Sequence, residues 1–371
     1  MFFELLWNGD APRLDLPGIW LVKFISFRAI AAALFAFLLV LMFGGRTIRW
    51  LTRVKFGEDT DKTDSDVLRD LHKQKRGTPT MGGILMIGAT LVAGLLWCRF
   101  DGANRWTIIG LLLVAWYAAV GFADDWIKLK VAGRNGLSKR SKQGLLTLGA
   151  VLAALWMISS GFGGEDGPGV FVPFVKEPVA RLGAVVFVLV AIVVLTGASN
   201  AVNLTDGLDG LATGCVITST IAFAGICYFV GRADFAQYLM VEHVPGAGEM
   251  TVMLGALLGA AGGFLWFNAP PARVFMGDVG SLPLGGALGY AALVSRTELL
   301  LFVIGGVFVV EAVSVILQVA SFKLRGRRVF RCAPIHHHFQ FAGVPETRIV
   351  VRMWLVSGLL AMTSLALFKL R

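Results

Sequence analysis

Charge is scarce in this chain. Only 16% of its 371 residues are Asp, Glu, Lys or Arg, and 56% are hydrophobic; an ordinary soluble domain carries about 25% charged residues. A water-soluble fold of this length is excluded, because too few polar side chains exist to cover it. Cysteine is almost absent. Cys98, Cys215, Cys227 and Cys332 show no CxxC spacing, and three lie in or beside apolar runs. That argues against a cysteine metal centre and predicts small core residues rather than disulfides. The first ten residues, MFFELLWNGD, hold no basic leader and no small-residue cleavage site, so the first apolar run is expected to remain as an anchor. The weak alternation of a membrane β-barrel is also missing, as are repeats, low-complexity tracts and a soluble domain.

What is present is a series of apolar runs, each of a length that crosses a hydrocarbon core. Ten are read, at about 19–44, 81–99, 106–124, 144–161, 182–201, 209–230, 250–267, 280–295, 299–321 and 350–368. The expected fold class is all-α: a polytopic helical membrane protein of about ten transmembrane helices, forming one integral domain over residues 1–371. The run 280–295 is short and glycine-rich, readable as a span or as a broken helix lining a cavity.

Basic residues orient the runs. The loop 45–80 holds nine Lys/Arg, the loop 125–143 six, and the loop 322–349 another six, while the intervening loops hold one or two each. By the positive-inside rule the odd-numbered connections face the cytoplasm and both termini the periplasm. The net charge of +10 is accounted for by these loops and their contact with anionic lipid, so no nucleic-acid partner is expected.

Against this apolar background four clusters stand out, and the orientation puts all of them on the cytoplasmic side. Asp124 and Asp125 end a run in GFADDWIK, with Lys128 one turn later; Asn203, Asp206 and Asp209 are spaced by three in NLTDGLDG; Asp278 sits in FMGDVGS; His336, His337 and His338 follow Pro334. Carboxylates are costly near hydrocarbon, so their collection on one face points to chemistry. Adjacent carboxylates can hold a divalent cation or divide metal binding from base catalysis. Each cluster also has a plainer reading: a solvated pair ending a helix, a glycine turn, an N-terminal cap at Asp278. GTPTMGG, residues 77–83, with Thr78, Thr80 and Lys75 just upstream, has the small residues of a phosphate cradle but not the GK[ST] order of a Walker loop. Three consecutive histidines cannot all face one zinc from a helix; their plainer reading is a tag-like accident, but they are internal, and beside Arg328 and Arg331 they suit diphosphate contact or proton handling better. Glu311 lies inside an apolar run and is either paired in the bundle or part of the site. The cytoplasmic loops at about 45–80, 125–143, 202–208, 268–279 and 322–349 are expected to form that site. Carboxylates without a zinc pattern favour Mg²⁺, and the economical reaction is phosphoryl transfer from a soluble nucleotide-activated donor to a membrane-held acceptor.

At these motifs the chain resembles the phospho-N-acetylmuramoyl-pentapeptide transferase family, within the superfamily of polyprenyl-phosphate N-acetylhexosamine-1-phosphate transferases. GTPTMGG, FADDWIK, NAVNLTDGLDGLA, FNAPPARVFMGDVGSLPLGG and APIHHHF carry the resemblance, in order, from about residue 70 to 340. It implies Mg²⁺-dependent transfer of phospho-MurNAc-pentapeptide from UDP-MurNAc-pentapeptide to undecaprenyl phosphate, giving lipid I and UMP. It also implies ten transmembrane helices, a cytoplasmic cleft and a homodimer in the bacterial inner membrane. It gives Asp278 as metal ligand, Asp124 and Asp125 as the essential pair with Asp124 the favoured base, and His336 as a further catalytic position. Lys75, Thr78, Thr80, Lys128, Asn203, Asp206, Asp209, Asn268, Phe275, His337 and His338 are the substrate-binding candidates. Pro270 and Gln340 depart from the family pattern, which often has an aromatic or His at the first and Glu at the second. The nearest rival is a sister enzyme that transfers N-acetylglucosamine-1-phosphate to the same lipid. A transporter, the rival from another class, would carry its acids near mid-span.

Overall fold

The computed structural model describes residues 7–8, 11–12, 18–54, 77–101, 104–131, 136–175 and 177–369. Among them are α1 (Ile25–Arg53), α2 (Gly83–Trp97), α3 (Arg105–Lys130), α4 (Lys139–Ser159), α5 (Ala184–Thr205), α6 (Leu211–Val230), α7 (Ala233–Leu239), α8 (Met250–Asn268), α9 (Asp278–Val294), α10 (Glu298–Ile304), α11 (Gly306–Arg325), α12 (Ile335–Phe341) and α13 (Glu346–Lys369). The strands are two-residue pieces: β1 (Trp7–Asn8) with β2 (Ala11–Pro12), and β3 (Gly169–Val170) with β4 (Ala180–Arg181), both pairs antiparallel. The chain is an all-α polytopic membrane protein. Among the described residues, eight helices are long and apolar enough to cross a membrane, and α2 is a shorter apolar helix.

Each of the ten apolar runs holds helix, with instructive differences at the ends. α1 continues past residue 44 to Arg53, since a helix satisfies its own backbone and nothing in GRTIRWLTR breaks it. The run 280–295 is one helix, α9, with Pro283 inside it and every residue from Val279 to Val294 buried. The run 299–321 is instead divided at Gly305 into α10 and α11, and α11 extends to Arg325, where Gly326 in a left-handed conformation (φ 63°) stops it.

The interior is built around α8 and α9. α8 lies against α1, α2 and α6, and α9 against α3 and α5. The span ending α8 is 78% buried over its apolar window, whereas those of α1 and α11 are 22% and that of α13 is 28%. The surface these outer helices expose is apolar: Leu34, Leu38, Ile316, Leu355 and Leu359 all face outward. Lipid, not water, is the solvent that suits such a surface. Small residues draw the inner helices together. A Cβ on Gly259 of α8 would overlap the Ala33 carbonyl of α1.

The bundle has two distinct ends. At one, Arg28 near the start of α1 meets Glu249 just before α8 in a two-pronged pair at 2.6 and 2.5 Å, both residues buried. The other end gathers the C-termini of α1, α3, α5, α8 and α11 and the N-termini of α2, α4 and α9. Lys130 Nζ donates there to the Val54 carbonyl (3.3 Å), tying α3 to the end of α1.

Candidate active site

The second end holds the acidic clusters. Its geometry starts with a glycine. A Cβ on Gly121 would overlap the backbone of Asp278, so α3 and the first turn of α9 meet backbone to backbone. One turn further along α3, Asp124 and Asp125 are thereby held beside Asp278. One carboxylate oxygen from each of the three lies within 4.8 Å of the others. Asp124 and Asp125 are 3% and 4% exposed.

Buried carboxylates this close need opposing charge or hydrogen-bond donors, and the fold supplies both. Lys128 Nζ lies 2.5 Å from Asp124 Oδ2, 3.4 Å from Asp125 Oδ1 and 3.0 Å from Asp278 Oδ2. Lys142, on the first turn of α4, pairs with Asp278 Oδ2 and stands 3.7 Å from Asp124 Oδ2. Three backbone or amide donors complete the shell. Leu137 N–H donates to Asp124 Oδ1 (2.8 Å), Val279 N–H to Asp125 Oδ2 (3.1 Å), and Asn203 Nδ2 to Asp278 Oδ1 (2.7 Å). Asp278 precedes the apolar run of α9. Burial alone would push its carboxyl up, but the hydrogen bond with Asp124 and the ammonium groups of Lys128 and Lys142 outweigh it and hold it well below the usual carboxylate range. The cluster sets three carboxyl groups against two ammonium groups. All its free ligand atoms are oxygens, the donor set that suits a hard divalent cation.

Residues 107–296 match glycosyl transferase family 4. The chain is 47% identical over 351 residues to the phospho-N-acetylmuramoyl-pentapeptide-transferase of Solidesulfovibrio magneticus, and 45% over 351 residues to that of Maridesulfovibrio salexigens. Each alignment covers 94% of this chain and 95% of the relative. The enzyme of the same name from Granulibacter bethesdensis is 46% identical over 354 residues, 95% of both chains. The chain belongs to the phospho-N-acetylmuramoyl-pentapeptide transferases.

The remaining site candidates of this transferase fall around the cluster in different ways. Thr80 lies close to it: a Cβ on Gly277 would meet Asp125 Oδ2 at 2.6 Å and Thr80 Oγ1 at 3.2 Å. In the expected phosphate cradle, Gly82 and Gly83 N–H donate to the carbonyls of Phe275 and Met276 (both 2.9 Å), and Phe275 N–H donates to Pro79 (2.8 Å). These donors therefore clamp the two loops together. Thr78 and the Phe275 side chain are half-buried nearby in sequence. Lys75 lies outside the described residues.

Asn268 is 2% exposed, its amide accepting from Thr213 Oγ1 (3.0 Å) and donating to the Val274 carbonyl (3.0 Å). Asp209 accepts from Ala272 N–H (2.9 Å), and its own N–H donates to Glu346 Oε1 (2.9 Å). Both residues hold the 269–277 loop against its neighbours, while Asp206 is half-buried at the end of α5. His337 Nδ1 meets Gln340 Oε1 (2.7 Å) and His338 Nδ1 accepts from Arg331 N–H (3.1 Å). His336 is wholly buried, against Glu311.

Sequence reasoning missed Lys142, Ser281 and Glu346. Lys142 counted only as loop charge; nothing in KRSK separates it from Lys139 and Arg140, which the fold turns outward. Ser281 Oγ accepts from the same Asn203 amide (2.8 Å), and its place three residues after Asp278 was the available signal.

Proposed function

We propose that this transferase moves phospho-MurNAc-pentapeptide from UDP-MurNAc-pentapeptide to undecaprenyl phosphate, releasing UMP and leaving lipid I, at the cytoplasmic face of the bacterial inner membrane. The observation that carries the reading is the convergence of Asp124, Asp125 and Asp278 with Lys128 and Lys142 at one end of an otherwise apolar bundle. A transporter reading would place such acids near mid-span; here they occupy the last turns of α3 and the first residue of α9. The basic termini of α1, α3 and α11 belong to the same end, which supports the cytoplasmic assignment.

Asp124, Asp125 and Asp278 would hold Mg²⁺. When bound, it would offset charge on the donor diphosphate and on the departing UMP. Lys128 and Lys142 present ammonium groups to the same anions. Asp124 accepts the proton of the lipid phosphate, whose oxygen forms the new bond to the sugar-bearing phosphorus as the bond to UMP breaks with its electron pair. The NLTDGLDG turn and the 269–277 loop, clamped by Asp209 and Asn268, position the nucleotide and sugar phosphate.

The test is UMP release by the purified protein in detergent, given undecaprenyl phosphate, Mg²⁺ and either UDP-MurNAc-pentapeptide or UDP-GlcNAc. Release from the muramoyl donor alone, abolished by EDTA and by Asp278→Ala, supports the proposal. Release from UDP-GlcNAc instead moves the chain to the sister reaction.

A further inference from the structure

Glu311 sits within α11, wholly buried, as is its partner His336 on α12. Glu311 Oε2 lies 3.0 Å from His336 Nδ1 and 3.4 Å from the His336 backbone nitrogen. A carboxylate enclosed by apolar helices is costly unless a partner compensates it, so this pair is a built feature. The far side of the imidazole has no such partner among the described residues: Nε2 is buried without a hydrogen bond to any of them. It rests against Gly207, where a Cβ would overlap the ring. Gly207 lies between Asp206 and Asp209 in NLTDGLDG, four residues beyond Asn203, which donates to Asp278.

A carboxylate on one imidazole nitrogen decides which nitrogen carries the proton and how the ring is turned. With Glu311 accepting at Nδ1, Nε2 becomes the atom turned toward the NLTDGLDG turn. We infer that Glu311 is a positioning residue of the transferase: it fixes the His336 ring through Nδ1–H, and the ring sets the Gly207 turn that closes the C-terminus of α5, the helix end that holds Asn203 against Asp278. The inference rests on the site assignment proposed above. His336 acts here through the backbone of Gly207 rather than through substrate.

The experiment uses the full-length protein in detergent. Nitrogen-15 spectra of histidine-labelled protein, with His336 assigned by its loss in His336→Gln, are expected to show a protonated Nδ1. Glu311→Gln keeps the shape and removes the charge; kcat should fall by up to about a hundredfold, the scale of loss when a change away from the chemistry misplaces a reacting group, with donor KM and thermal midpoint retained. Gly207→Ala should lose activity comparably, and the double variant little more than either single, because both act through one contact. An unprotonated Nδ1 in the unaltered protein, full kcat in Glu311→Gln, or additive losses would overturn the inference. So would a lowered midpoint with unchanged kcat in the folded fraction, which marks a merely structural pair. If Glu311→Gln does not fold, the tautomer in the unaltered protein decides. Activity surviving in Asp278→Ala would count against the site assignment and leave the tautomer result standing.

Discussion

Asn203 Nδ2 donates to Asp278 Oδ1 at 2.7 Å across 75 residues of sequence. The same amide reaches Ser281 Oγ at 2.8 Å, so one side chain at the end of α5 fixes the first turn of α9. Removing it in Asn203→Ala leaves a half-buried carboxylate oxygen short of a donor, worth about 2 kcal/mol for a bond to a charged group. That converts to roughly a thirtyfold loss of kcat/KM, read by UMP release.

Lys142 makes a sharper case because its neighbours on α4 are exposed. Lys142→Met is expected to reduce kcat/KM by at least about tenfold, having removed a charge-assisted bond to Asp278. Lys139→Met should leave it unchanged. Equal effects from the two would show that Lys142 contributes only to the field of the basic face.

Gly121 tests whether the cluster depends on close approach. Gly121→Val forces α3 and α9 apart, and such overpacking typically costs about 1–3 kcal/mol. The thermal midpoint should drop and UMP release should vanish, whereas Gly88→Val, where no atom lies within 4 Å of an added Cβ, should be tolerated.

The Asp278 carboxyl gives a pH prediction. Its folded-state pKa lies below the ordinary value, so folding favours the ionised form. The resulting stability is fully present above the unfolded pKa, about 3.9, and is lost as pH falls from there toward the folded value. In EDTA, Asp278→Asn should therefore melt below the unaltered protein at pH 7, with the gap narrowing under about pH 4. A gap that widens on acidification would contradict the assignment.

Metal removal separates binding from turnover. Adding Mg²⁺ to EDTA-stripped protein should raise the thermal midpoint, by mass action on the folded state, and restore UMP release. Asp125→Asn should blunt both responses. Restoration of turnover with no change in midpoint would place the functional cation on the nucleotide substrate instead of the cluster.

The helices were legible in the sequence because each apolar run must close its own backbone hydrogen bonds in lipid, whatever its neighbours do. The carboxylate motifs were legible for the converse reason: Asp124, Asp125 and Asp278 are conspicuous where charge is costly. Lys142 was not, since a lysine among lysines carries no signal until the first turn of α4 points it at Asp278. Nor did GTPTMGG reveal that the Gly82 and Gly83 N–H groups face Phe275 and Met276 instead of a ligand, or APIHHHF that its three imidazoles have three different surroundings.

Composition and hydropathy by themselves determined the class of the molecule, its all-α membrane-spanning helices and the side chains able to do chemistry, because those properties depend on residue type and local spacing. The tertiary structure decided which of those side chains meet. Gly121 against the Asp278 backbone, Asn203 across to α9 and Glu311 against His336 are contacts between segments far apart in the chain, and such pairings follow from close packing of helices, which no local pattern encodes.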